Sequence, residues 1–253
     1  MTRSRMHSSE DPLSPNHDSR EGAAVDMLIL HYTGMAVAED ALERLCDPAA
    51  KVSAHWFVHE DGRVVALVPE ARRAWHAGVS CWSGTRDINS RSIGIEIHNP
   101  GHDHGYTDFP DRQIASVISL SREIVGRYPI APTRVLAHSD VAPGRKMDPG
   151  EKFPWQRLHE AGVGHWVAPA PAERGPVLRS GDQGEAARAL QSALAAYGYG
   201  IAADGIYGSW TETVVTAFQR HFRPARVDGV ADISTRITLE RLIAAQPSDD
   251  LSI

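Results

Sequence analysis

The sequence predicts an α/β fold: a mixed central β-sheet flanked by helices, followed by a small all-α three-helix domain. Three observations carry that prediction. Strand-like apolar runs alternate with helical periods up to about residue 165, a Pro/Ala-rich stretch interrupts them, and a loop–helix pattern repeats beyond it.

Taken in order, residues 1–24 are rich in Ser, Asp, Arg, Pro and His, have no hydrophobic period, and read as a disordered N-terminal arm. Val25-Asp-Met-Leu-Ile-Leu-His31 is nearly continuous in apolar residues, which suits a strand buried on both faces. Ala38 to Leu45 reads as a helix. His55–His59 and Val64–Val68 flank Asp61-Gly62, a turn dipeptide, and form a hairpin. Ser92-Ile-Gly-Ile-Glu-Ile-His98 alternates as a further strand and closes at Asn99-Pro-Gly101.

Between Pro110 and Pro129, the residues Ile114, Val117, Ile118, Ile124 and Val125 recur at helical spacing, so 111–128 is a helix. Arg134-Val-Leu-Ala-His138 is a short strand that runs into a Gly/Pro-rich loop. These elements make up a first domain over 25–165. Pro169, Pro171 and Pro176, set among alanines, mark 166–177 as a Pro/Ala linker. In the helical domain, 178–245, Asp204-Gly205 recurs as Asp228-Gly229, Thr211 as Thr235 and Val215 as Leu239, all at one shared offset.

Composition narrows the function. The chain has 253 residues, 42% hydrophobic and 23% charged, enough for one large core or two unequal ones. A net charge of −6 with no run of Lys or Arg leaves no electrostatic footprint for a nucleic-acid partner. No apolar stretch approaches the ~20 residues that span a bilayer, so no transmembrane segment is expected. Met1 to Asp18 is polar and lacks the apolar segment of a secretory signal. Cys46 and Cys81 form no CxxC, which argues against thiolate zinc chemistry. The 13 histidines exceed an ordinary structural complement and point towards metal.

His31 and His138 stand at predicted strand ends, and Asp148 follows His138 across the loop 139–147, where Pro143 and Gly144 can turn the chain back. Two imidazoles and a carboxylate, with a position left for water, are a recurrent catalytic zinc arrangement. Spacing alone does not single out this trio, because His55, His59, His76, His98, His102 and His104 compete with it.

Five segments resolve the competition. Leu28-Ile-Leu-His-Tyr-Thr33, Val52-Ser-Ala-His-Trp-Phe57, Ala74-Trp-His-Ala-Gly78, Ile93-Gly-Ile-Glu-Ile97 and the run from His138 to Gly150 resemble, in this order, the zinc-dependent N-acetylmuramoyl-L-alanine amidases. Those enzymes are related to animal peptidoglycan recognition proteins. The resemblance covers about 25–165. It implies one zinc per chain held by His31, His138 and Asp148, with Glu96 and Lys146 acting on the substrate. The chemistry suits the residue types: zinc acidifies water and polarises a carbonyl, a carboxylate shuttles the proton, and an ammonium steadies the oxyanion.

Arg145 is a candidate for a stem-peptide carboxylate, and Trp75, His76 and Asn99 are candidates to line the groove. Residues 178–243 resemble a three-helix peptidoglycan-binding module; the match thins in the second repeat, where Asp232 stands in place of the first repeat's Gly208. The implied substrate is peptidoglycan or a muropeptide. The alternative is a recognition protein that binds peptidoglycan without cutting it, which has no need to keep Glu96 and Lys146 beside an intact trio. A wall-binding module favours the cell envelope, whereas the polar N-terminus favours the cytoplasm.

Overall fold

The structure is a computed structural model that describes residues 14–246. The elements run β1 (His17–Asp18), β2 (Met27–Tyr32), α1 (Ala38–Cys46), β3 (Trp56–Val58), β4 (Val64–Ala66) and β5 (Arg73–Ala74). They continue with α2 (Ile88–Arg91), β6 (Ser92–Ile97), α3 (Asp111–Arg127), β7 (Val135–Ala137), α4 (His138–Val141) and α5 (Trp155–Glu160). The C-terminal helices are α6 (Glu185–Tyr197), α7 (Ser209–Phe222) and α8 (Ile233–Ala244).

The main sheet has the order β4-β3-β6-β2-β7. β2 is parallel to both β6 and β7, β3 is parallel to β6, and only the β3–β4 hairpin is antiparallel. Burial on both faces explains the unbroken apolar run of β2. Leu28 and Leu30 join the residues of α3 and α5 in one core, while Met27 and Ile29 point the other way into a second core. Helix α1 closes part of that second face, its Ala41 and Leu45 packing with Phe57 and Val65.

Residues 14–24 correct the expectation of a disordered arm; residues 1–13 lie outside the described residues. Ser14, Asn16 and Arg20 are buried polar anchors. Asn16 donates to the carbonyls of Asp47 and Val52, and Arg20 donates to those of Glu70, Asn89, Ser90 and Ser92. Strand β1 then pairs with β5. Order here comes from side chains satisfying distant carbonyls, not from apolar periodicity.

The helical unit is not a separate body. One apolar cluster runs from Ile29, Trp82, Leu136 and Val141 into Leu194, Tyr199, Phe218 and Leu242. Gly198 adopts φ 137° with its Cα against the Trp82 indole, where any Cβ would collide. Residues 166–177 have neither helix nor strand, yet they are docked: Ala170 bonds through its N–H and C=O to Thr238 and Ser234 of α8.

The sequence repeat is visible as a repeated hydrogen-bond unit. Gln191 reaches Asp204, Ile206 and Thr211 and accepts from Gly205, as Gln219 reaches Asp228, Val230 and Thr235 and accepts from Gly229. Asp232, the departure from the first repeat, caps α8 by accepting from the Thr235 N–H.

Candidate active site

The site grows out of three adjacent parallel strands. His31 is opposite Glu96 in the β2–β6 register, so both side chains project from the same face. On the other side of β2, Leu30 pairs with Ala137, which places His138 beside His31 at the start of α4. The loop after α4 turns back, and the Ser139 N–H donates to the Asp148 carbonyl at 3.0 Å. Asp148 is thereby returned to His138 from ten residues further along the chain.

Three ligand atoms converge. His31 Nδ1 is 2.8 Å from His138 Nδ1 and 3.1 Å from Asp148 Oδ2, and His138 Nδ1 is 2.9 Å from Asp148 Oδ2. All three residues are buried. His138 Nε2 lies 3.1 Å from the Ala77 carbonyl, which can only accept, so Nε2 carries the proton and Nδ1 presents a lone pair. Arg145 also approaches Nε2, at 3.4 Å, but its Nη2 hydrogens are directed to the carbonyls of Ala77 and Val79.

Electron-pair donors this close repel one another unless a cation sits among them, and the donor set therefore fits a metal ion. Burial and the neighbouring His138 push the His31 pKa down to about 4, which keeps it available as a neutral ligand.

The cavity beside the trio is lined by Tyr32, Thr33, Trp75, Glu96 and Lys146, with His138 and Asp148 at one wall. Glu96 Oε2 is buried without a hydrogen-bond partner. Burial, reinforced by the Asp148 anion, raises its pKa well above the ordinary carboxylate value, and the Lys146 ammonium pulls the other way. An unpartnered carboxylate with a raised pKa in a cleft is a group free to exchange a proton.

The remaining expected site residues are placed differently. Trp75 does line the cavity, held by its indole N–H on Asp18. His76 lines the cavity as well, although it is largely buried and its ring nitrogens bond His31 and Ser92. Asn99 is a turn residue that bonds Gly101 and Thr107 and does not line the cavity. Arg145 lines a neighbouring groove with Val79 and Trp210. Sequence reading missed Ser92, whose side chain shares the His31 face; the alternation Ser92-Gly94-Glu96 was the available signal.

A family model described as N-acetylmuramoyl-L-alanine amidase matches residues 21–151. The chain belongs to that family and is an amidase. A second model, a putative peptidoglycan binding domain, matches residues 183–239 of the same amidase. N-acetylmuramoyl-L-alanine amidase AmiD of Escherichia coli (strain K12) is 35% identical over 237 residues, covering 89% of this chain and 84% of the relative. The 1,6-anhydro-N-acetylmuramyl-L-alanine amidase AmpD of Enterobacter cloacae is 37% identical over 164 residues, 58% of this chain and 86% of the relative.

Among solved structures, Escherichia coli AmiD in complex with the substrate anhydro-N-acetylmuramic acid-L-Ala-D-gamma-Glu-L-Lys superposes with a TM-score of 0.75 at 33% identity. That match covers 96% of this amidase and 94% of the other chain, so it spans both units. Among the described residues, no helix of the amidase is long and apolar enough to cross a membrane.

Proposed function

We propose that this amidase hydrolyses the amide bond joining N-acetylmuramic acid to L-alanine in peptidoglycan or soluble muropeptides, using one zinc ion held by His31, His138 and Asp148. The observation that carries the reading is the convergence of one ring nitrogen from each of two histidines and one carboxylate oxygen beside an unpartnered Glu96 oxygen. A zinc ion in such a site supplies a Lewis acid that polarises the scissile carbonyl and acidifies water to a pKa of about 7.

The chain's own residues do the rest. The Glu96 carboxylate takes a proton from the attacking water as its oxygen bonds to the carbonyl carbon. It returns that proton to the alanine nitrogen as the C–N bond breaks, so the stem peptide leaves as a neutral amine. Lys146 donates from its ammonium to the oxygen on which negative charge develops, in a cleft partly closed to water. Trp75 forms a wall of the cleft, positioned by Asp18. The helical unit binds the wall and raises the local concentration of substrate at the cleft.

The relatives named above carry anhydro-muropeptide substrates in their descriptions, and the same class is proposed here. Mass spectrometry of products from purified anhydro-muropeptides and from intact sacculi tests the reading. Free stem peptides should appear, and a chelator should abolish them. Cleavage between stem amino acids, or full activity in excess chelator, would overturn it.

A further inference from the structure

We infer that His76 and Ser92 form a hydrogen-bond relay that fixes the tautomer of the ligand His31, and that this relay is a positioning device for the metal. The inference rests on the zinc reading above. It begins from a hydrogen whose place is unambiguous. Ser92 Oγ lies 2.7 Å from the Ile88 carbonyl oxygen, an atom that can only accept, so the serine hydroxyl donates there.

Ser92 Oγ also lies 3.1 Å from His76 Nε2. Its one hydrogen is already committed, so it must accept, and His76 carries its proton on Nε2. A neutral His76 then presents a lone pair at Nδ1, which is 3.0 Å from His31 Nε2. His31 must donate from Nε2, and its remaining lone pair, on Nδ1, faces His138 and Asp148. The chain of donors runs one way: His31 to His76 to Ser92 to the Ile88 carbonyl.

The fold is shaped around this relay. Ser92 and Gly94 project from the same face of β6 as Glu96, in register with Met27 and Ile29 of β2. The His76 ring lies directly over Gly94, where an added Cβ would be 2.6 Å from its Cγ. The His76 and Ala77 N–H groups both donate to the Asn89 side-chain oxygen, which fixes the backbone that presents the ring. Outer partners of a metal-bound histidine typically govern about 10–100-fold in metal affinity.

The test uses the full chain and zinc. Chelator competition gives the zinc Kd of the wild type, Ser92→Ala, His76→Leu and His76→Gln, and urea unfolding of the metal-free proteins reports stability. Ser92→Ala and His76→Leu should weaken zinc binding by about 10–100-fold. His76→Gln should recover most of it, because an amide offers an acceptor to His31 and a donor to Ser92. Nitrogen NMR should show the His31 Nε2–H in the wild type and in His76→Gln, with both tautomers mixing in Ser92→Ala. That readout does not move with general loosening.

A Kd within twofold of wild type in Ser92→Ala, with His31 still a single tautomer, overturns the relay while leaving the zinc reading intact. If His76→Leu fails to fold, Ser92→Ala and His76→Gln still decide the outcome. Failure of the wild type to bind stoichiometric zinc overturns the metal reading and the relay with it.

Discussion

Two buried aspartates in the segment that follows β7, Asp140 within α4 and Asp148 on the loop after it, have histidine partners, and they do opposite things. Asp140 accepts from the Ala137 N–H at 2.8 Å, from His221 Nδ1 at 2.6 Å and from the Tyr199 hydroxyl at 2.7 Å. Every one of these partners brings a hydrogen, and the cluster is complete in itself. Asp148 Oδ2 also lies within hydrogen-bond reach of two histidines, but in the tautomers inferred above their other nitrogens donate to Ala77 and His76, which would set lone pair against lone pair. Residue types and burial are similar in the two clusters. The location of the hydrogens separates a structural lock from a cation site.

The comparison breaks first at the metal. His138→Ala should lose essentially all zinc and with it turnover, because it removes one of the three proposed ligands. Asp140→Asn, only two residues from His138, should keep stoichiometric zinc, since it holds α4 against α7 and faces no ligand. Elemental analysis of both purified variants is the check. Full zinc in His138→Ala, or none in well-folded Asp140→Asn, would show that the two clusters are not distinct in function.

The next effects belong to the groups that face the cavity without binding metal. Glu96→Gln should retain zinc and lose about 10²–10⁴ in rate. Lys146→Ala should lose about 10²–10³, mostly in kcat. The pH dependence sharpens this. The base role proposed for Glu96 requires its ionised form, and burial and Asp148 disfavour that form while Lys146 favours it. The acid limb of the profile should therefore vanish in Glu96→Gln and move to higher pH in Lys146→Ala. A bound dication acts in the same direction as Lys146, so the limb should also be lower in the zinc protein than its surroundings alone would set. An acid limb unmoved in Lys146→Ala would separate the two residues electrostatically.

Much of this was legible in the sequence because it is local or periodic. The apolar run of β2, the Asp61-Gly62 hairpin, the spacing of α3 and the return loop to Asp148 each leave a pattern within one segment. What stayed hidden depends on contacts between distant residues. Arg20 orders the arm through carbonyls up to 72 positions away, and such bonds leave no period. The relay through Ser92 and His76 is spread over strands and a loop, and His76 alone reads equally well as a cleft residue. The Pro/Ala composition of 166–177 suggested a tether, but small side chains also allow close docking, as Ala170 against α8 demonstrates.

The smallest effect tests the lock itself. Tyr199→Phe deletes one hydroxyl and leaves Asp140 Oδ1 buried without that donor. Hydrogen bonds to charged groups contribute about 1.5–3 kcal/mol, and urea unfolding should show a loss of that order. The hydroxyl bonds Asp140 and none of the proposed ligand atoms, so zinc stoichiometry should be unchanged and kcat should stay within about twofold of wild type. Alkaline pH gives an independent reading. Burial, then the Asp140 anion, raises the Tyr199 pKa well above its ordinary value of 10.0. Unfolded chains release that proton near pH 10 while the folded chain retains it, so stability from this group is present below pH 10 and falls as pH rises above it. Tyr199→Phe should lack this component and show a shallower alkaline decline than wild type. Parallel declines in the two proteins would mean that the hydroxyl does not hold its proton for Asp140, and the lock would then rest on His221 and the Ala137 N–H alone.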